Sequence, residues 1–424
     1  MDPASSGDRA SHAWQPLYSG ADADELRDVV RAIAFSIAAG AGEPRSPTDL
    51  ALFWAYAAGE LEDDRVQAEY DAAIAALTRW IVAGASGPGL HGGLAGAGWV
   101  LAHVSEPGAA EPALEVIDRA LLSRVEHWPP GSGYDLISGV VGLAVYFLER
   151  LRDSPAPLAR RGLEQIVEQL GQTCHRSADG AAWHTRPELL PDWQRERWPG
   201  GYYDCGVAHG VAGVAAVLGK IAAAPAPPRD ARELCMAGLA WLEARRGPPG
   251  AAGRYPSMVA PPTAGATGAR SPARAAWCYG DPGVIAAQWT AWSSLGAPTA
   301  TEVDAALTCL DRPIASSGVV DPGLCHGALG LAHLFNRFYQ ASRDQRFAAA
   351  ARAWVRRGLD MRRPGGVGGF EAMVEVDHGA PPRWLPSADF LGGAAGIGLA
   401  LLAVIRGDEP GWDRLLLCDV PPAG

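Results

Sequence analysis

Three side chains of this sequence form a ligand set: Cys278, Cys325 and His326 supply two thiolates and one imidazole. Such a set suits zinc, and three protein ligands with an open fourth position mark a catalytic rather than a structural metal site. A cysteine by itself carries little meaning, because free thiols commonly behave as small buried hydrophobes. Cys174, Cys205, Cys235, Cys309 and Cys418 are read that way. What sets Cys278 and Cys325 apart is their position in a repeat.

Gly-x-x-Gly followed by an apolar stretch recurs at Gly93/Gly96, Gly139/Gly142, Gly210/Gly213, Gly280/Gly283, Gly327/Gly330 and Gly393/Gly396. His209, Tyr279 and His326 each lie one residue before the first glycine of their copy, and Cys278 and Cys325 lie two before. Asp135 stands four residues before Gly139. If each glycine pair opens a helix at the same end of a ring, these side chains surround one mouth.

The elements that would position them follow from the same repeat. The copies are 46 to 71 residues apart, room for two helices per unit, with inserted loops in the longer intervals. A seventh, degenerate copy lies upstream, where Leu50 to Tyr56 follows Asp49 in place of the second glycine, 47 residues before Gly96. Runs that are apolar all round, such as Gly92 to Trp99, suit helices buried on every face. Leu163 to Leu170 and Phe347 to Leu359 mix apolar and polar residues at helical spacing and suit an outer layer. The pattern predicts an all-α fold, an α/α toroid of about seven helix-pair repeats with inner and outer rings, in one domain over residues 1–424. Glycines at the helix mouths would allow positive φ and close helix approach. Residues 172–204 and 245–275, rich in Pro and Gly, read as inserted loops or small subdomains, and 366–388, around His378-Gly379, as a β-hairpin.

Composition narrows the function classes. With 48% hydrophobic and 20% charged residues, the chain of 424 has material for a large core. A net charge of -11 and a pI near 5.4 argue against nucleic-acid binding. No apolar run approaches the ~20 residues of a membrane span. Met1 to Gly20 lacks a basic segment followed by an apolar one, so no signal peptide is expected. Seven cysteines then fit reduced thiols in a cytoplasmic protein.

Arg274-Ala-Ala-Trp-Cys-Tyr-Gly280, Leu324-Cys-His-Gly327, Val207-Ala-His-Gly210 and Tyr134-Asp-Leu-Ile-Ser-Gly139 resemble, in order, the signature segments of the lanthionine synthetase C cyclases. The resemblance covers nearly the whole chain. It implies a single zinc ion held by Cys278, Cys325 and His326, with Asp135, His209, Arg274 and Tyr279 around the reacting centre. It also implies a peptide cyclase that adds cysteine thiolates to dehydroalanine or dehydrobutyrine, closing thioether rings. The substrate would be a dehydrated precursor peptide with its leader, and the further partners a dehydratase and an exporter. In that chemistry His209 is the proton carrier. Asp135 either orients His209 or caps a helix. Arg274 either pairs with an enolate oxygen or is a solvated loop residue. Tyr279 either donates a hydrogen bond to that oxygen or packs in the wall. His91, at the cysteine phase, has no neighbouring ligand in sequence, and His333 reads as a core histidine.

Two rival readings come from other classes. An α/α-barrel glycosidase would use paired carboxylates, for which the rim offers Asp135 and Asp281. A zinc-stabilised scaffold would bind a peptide for a partner dehydratase without catalysis.

Overall fold

All six glycine-marked apolar runs fold as helices in the computed structural model, which describes residues 13–44, 46–85, 87–129, 131–248, 253–261, 273–374 and 381–423. They are α4 (Leu94–Val104), α6 (Val140–Asp153), α9 (Val211–Ala223), α11 (Asp281–Ser294), α13 (Ala328–Ser342) and α15 (Ala394–Ile405). The degenerate copy is α2 (Pro47–Leu61). Its Ser46 and Asp49 form a reciprocal capping box, so a capped terminus stands where the other copies have glycines. Each of these seven helices packs on the next, and α15 returns to α2, which closes the ring. Burial follows. Every residue of α15 is buried, as is most of α9.

The intervening segments form the outer ring: α3 (Asp64–Val82), α5 (Glu111–Glu126), α7 (Pro157–Thr173), α10 (Ala231–Glu243), α12 (Ala300–Thr308) and α14 (Gln345–Leu359). Helix α14 shows why. Its Phe347, Ala348, Ala351, Trp354, Val355 and Gly358 make one buried stripe at helical spacing, while Arg356 and Arg357 face solvent. Each outer helix packs on the inner helix before it in the chain. The seventh outer place, beside α15, is taken by α1 (Gly20–Ala38) from the other end of the sequence. The fold is therefore an α/α toroid whose last helix pair joins the two ends of the chain. A backbone bond from Leu17 N–H to the Val404 carbonyl (2.8 Å) and a bond from the Trp14 indole N–H to the Ala403 carbonyl (3.1 Å) fasten that seam.

Of the two reasons expected for the glycine pairs, positive φ holds at one first glycine, and close approach holds at every second one, where the neighbour is the preceding loop. Of the six first glycines only Gly280 has positive φ (+96°); the others are extended N-caps. A Cβ on any second glycine would strike the carbonyl six residues earlier, as at Gly330 against Leu324 or Gly283 against Trp277. Close approach is the requirement. The loop before each inner helix folds back across that helix's first turn, and only a residue without a side chain leaves room.

Small sheets occupy the long intervals. Strands β1 (His175–Ser177) and β2 (Gly180–Ala182) form an antiparallel pair, and β3 (His184–Thr185), β4 (Tyr202–Asp204) and β5 (Met258–Val259) a three-stranded sheet in that order. The short helix α8 (Asp192–Arg197) lies between β3 and β4. Strands β6 (Glu371–Val374) and β7 (Arg383–Pro386) pair antiparallel, Val374 opposite Arg383. Val376 and His378-Gly379 lie outside the described residues, as do residues 1–12 of the segment read for a signal peptide.

The C-terminal segment fills the centre of the ring. Asp413 bonds His333 and Arg337 of α13, Arg414 bonds Glu149 of α6, Lys220 of α9 bonds Asp419, and Leu416 accepts from the Trp277 indole before α11. One short segment reaches so many inner helices only from the axis. No helix among the described residues is long and apolar enough to cross a membrane.

Candidate metal centre and active site

The loops that precede the inner helices are stitched into a rim by backbone hydrogen bonds. Leu90 N–H donates to Ile137 (3.1 Å), Leu136 to Ala208 (3.1 Å), Val207 to Cys278 (3.0 Å), Cys278 to Cys325 (3.2 Å) and Cys325 to Leu391 (2.9 Å). An isolated bridge between Glu43 and Ser387 carries the rim on to the loop before α2. All donors and acceptors from Leu90 to Leu391 lie two or three residues before a first glycine. Residues at one phase of the repeat therefore meet at one end of the toroid.

At this rim the ligand atoms of Cys278, Cys325 and His326 lie within 4.8 Å of one another. Thiolate sulfurs on a tetrahedral zinc at bonds of about 2.3 Å would stand about 3.8 Å apart, so the donor set and its spacing fit that ion. Cys278 is buried, and Cys325 and His326 are partly buried. A hydrogen bond with Cys325 outweighs burial and, with the His326 and Arg274 charges, draws the Cys278 thiol down, while Cys278 and burial push Cys325 up. The charge on one thiolate here opposes ionisation of the other, an opposition that a bound cation would relieve. Burial lowers the His326 imidazole, but Cys278 and Asp321 raise it by more.

His209 stands near the group, close enough to feel the charge of Cys278. Its Nδ1 lies 2.8 Å from Asp135 Oδ2, which leaves Nε2 as the nitrogen available for proton exchange. Asp135 also accepts from the backbone N–H of Ser138 (2.8 Å) and Gly139 (3.0 Å), so it caps the turn into α6 and holds the imidazole at once. Burial would lower His209, yet the hydrogen bond and charge of Asp135 raise it; burial would raise Asp135, yet His209 and the two N–H groups lower it. The Tyr279 ring lies 6.4 Å from the His209 ring, its phenol pushed well up by burial and then by Asp204 and Cys278. Arg274 is exposed beside the group and acts on Cys278, Cys325 and His326 through its charge. Among the described residues it has no ion-pair partner.

Two carboxylates at the site escaped the sequence reading. Asp204 and Asp321 both stand six residues before a first glycine, a phase further back than the one that marks the rim. Asp321 Oδ2 lies 3.6 Å from His326 Nε2. Asp204 is fully buried, which pushes its carboxyl up to about 7 against the pull of His209, the Gly206 N–H and Tyr279. Other candidates lie elsewhere. His91 stacks on Phe390 at 6.0 Å and is outside the ligand group. His333 is buried and bonded to Asp413 at 2.7 Å. Asp281 accepts the backbone N–H groups of Arg254 and Tyr255, at 2.9 and 3.0 Å, and so tethers a loop instead of pairing with Asp135. All seven cysteines are free.

A closed ring of helix pairs with two thiols and an imidazole at its mouth defines the class. The sequence profile of the family described as "Lanthionine synthetase C-like protein" matches residues 49–417, and the chain belongs to that family. Among solved structures, nisin cyclase superposes with a TM-score of 0.69 at 18% identity, over 88% of this chain and 90% of that one. At that identity the likeness is one of fold. A search of curated protein sequences finds no match.

Proposed function

We propose that the chain is a zinc-dependent cyclase that closes thioether rings in a dehydrated ribosomal peptide. The observation that carries this reading is the pairing at one rim of the Cys278, Cys325 and His326 group with a histidine held by a carboxylate. A free thiol has a pKa near ~8.5, and zinc bound at the group would supply a thiolate at neutral pH.

The chain's own residues account for the rest. As the peptide sulfur bonds to the β-carbon of a dehydroalanine or dehydrobutyrine, the alkene electrons move onto the neighbouring carbonyl as an enolate. Arg274 and Tyr279 face that developing charge. His209, protonated and held by Asp135, gives its proton to the α-carbon from Nε2 and is reset by the proton the thiol released. No atom is gained or lost. The proposal extends to a leader-bearing precursor as substrate, a dehydratase and an exporter as partners, the cytoplasm as location and one domain over residues 1–424.

The test is incubation of the zinc-loaded protein with a dehydrated peptide that carries free cysteines. Ring closure leaves mass unchanged, so thiol alkylation followed by mass spectrometry is the readout. Loss of alkylatable thiols with wild type but not with Cys278→Ala supports the reading. Equal alkylation with and without the protein overturns it, and a zinc-bound protein that retains the peptide without closing it would be a scaffold.

A further inference from the structure

Asp204 closes β4 and is fully buried beside the rim. Its Oδ1 accepts the Gly206 N–H at 2.7 Å, a side-chain turn that shapes the loop before α9. That task needs one acceptor. At the equivalent place six residues before Gly393, Ser387 performs it with a hydroxyl that accepts the Asp389 N–H at 3.2 Å. The second carboxyl oxygen of Asp204 is therefore surplus to the turn, and it is buried without a well-aligned donor among the described residues. An acceptor left unmatched in the interior forfeits the hydration it had in the unfolded chain.

Three phenols, those of Tyr134, Tyr202 and Tyr279, are near enough to feel the charge of this carboxyl. Tyr134 donates to the Trp183 carbonyl at 2.9 Å and Tyr202 to Gln194 Oε1 at 3.3 Å. Tyr279 stands beside the carboxyl, since a Cβ on Gly206 would lie 2.8 Å from its ring and 3.1 Å from Asp204 Oδ1, and among the described residues its hydroxyl bonds no group other than Asp204. The neighbouring His209 spends its Nδ1 on Asp135. Asp321 repeats the arrangement in the next-but-one copy: Oδ1 takes the Gly323 N–H at 2.9 Å and Oδ2 points to a rim residue, His326.

We infer that Asp204 is a positioning residue whose second carboxyl oxygen fixes the Tyr279 hydroxyl in place beside His209. The assignment rests on the cyclase reading, since only there does the placement of the phenol matter to a rate. Three rim side chains then each have their own carboxylate: Asp135 for His209, Asp204 for Tyr279 and Asp321 for His326.

Two variants test it. Asp204→Asn keeps an oxygen for the Gly206 N–H, and Asp204→Ser copies Ser387; both remove the second carboxylate oxygen. Either should keep its zinc and its melting temperature while kcat for ring closure falls by about 10- to 100-fold, with KM changed less than about 2-fold. In a Tyr279→Phe background the same substitutions should lower kcat by less than about 2-fold, because the group they position is gone. A wild-type rate in a folded variant, or full additivity with Tyr279→Phe, overturns the role of Asp204 and leaves the cyclase reading standing. A wild-type protein that closes no ring overturns both.

Discussion

Cys278 donates its backbone N–H to the carbonyl of Cys325 at 3.2 Å, although 47 residues separate them in the chain. The link joins the loops before α11 and α13 and so fixes two thiols at one distance before any metal arrives. Preformed spacing of this kind lowers the ordering cost of a third ligand and of the ion itself.

The first expectation is one zinc per chain, with the metal lost on either Cys278→Ala or Cys325→Ala. Elemental analysis of the purified proteins measures this directly. Stoichiometric zinc in both variants would remove the ligand set.

Removing the imidazole should separate metal binding from turnover. His209 lies at the rim but is bonded to Asp135 and stands outside the ligand group, so His209→Ala should keep zinc and fold. Ring closure should slow by about 10²- to 10⁴-fold, the usual contribution of a positioned acid or base. Alkylation time courses report the rate, and full thiol protection with correct ring topology would exclude His209 from the proton transfer.

The pH profile carries a sign. Asp135 holds the His209 imidazole above its ordinary 6.5, so the donor form survives at neutral pH and is lost as pH rises through the folded value. Activity should therefore fall on the alkaline side. In Asp135→Asn the largest opposition to burial is gone and only the weaker pulls of Asp204 and Cys278 remain, so that limb should move to lower pH by about one unit or more. An unmoved limb would mean that another group sets it.

Much of this was legible because the repeat writes geometry into sequence spacing. Once six glycine pairs mark six equivalent turns, His209, Cys278 and His326 are neighbours by phase, whatever their separation along the chain. The limits lie where no such mark exists. Helix α1 carries no glycine pair, and its place beside α15 follows from ring closure, a property of the whole fold. Asp204 was missed because its phase lies outside the span that marks the rim, and because the fold-back that brings it under Tyr279 appears only in three dimensions. Likewise Trp412 to Leu417 follows the last glycine pair and carries no mark of the repeat. Its course through the ring depends on partners as distant as Glu149 and Arg337.

That tail supplies the last prediction, which concerns stability rather than rate. Arg337 and His333 of α13 are buried inside the ring, and both bond Asp413, which is itself fully buried. A buried pair contributes little over an apolar substitute, but breaking it from one side leaves, among the described residues, the buried Arg337 guanidinium with only the exposed Glu409 carboxylate and the Pro410 carbonyl as partners, and His333 with none for its Nε2. Asp413→Ala should therefore cost about 3–5 kcal/mol in denaturant unfolding followed by tryptophan emission, Trp412 being beside the break. Acid should reveal the same pair. Burial would raise the Asp413 carboxyl, but the charges and hydrogen bonds of Arg337 and His333 hold it far below the usual range, so its contribution is complete above its unfolded value and is lost as pH falls through the folded one. Burial also holds His333 below 6.5, so wild type should begin to lose stability below about pH 6.5 and lose it faster below about pH 4. Asp413→Asn, weaker than wild type near neutral pH, should lack the second, steeper loss. If its stability fell as steeply as that of wild type below pH 4, the acid sensitivity would belong to other carboxylates, with Glu149, lowered to about 2 between His103 and Arg414 despite its burial, the next to examine.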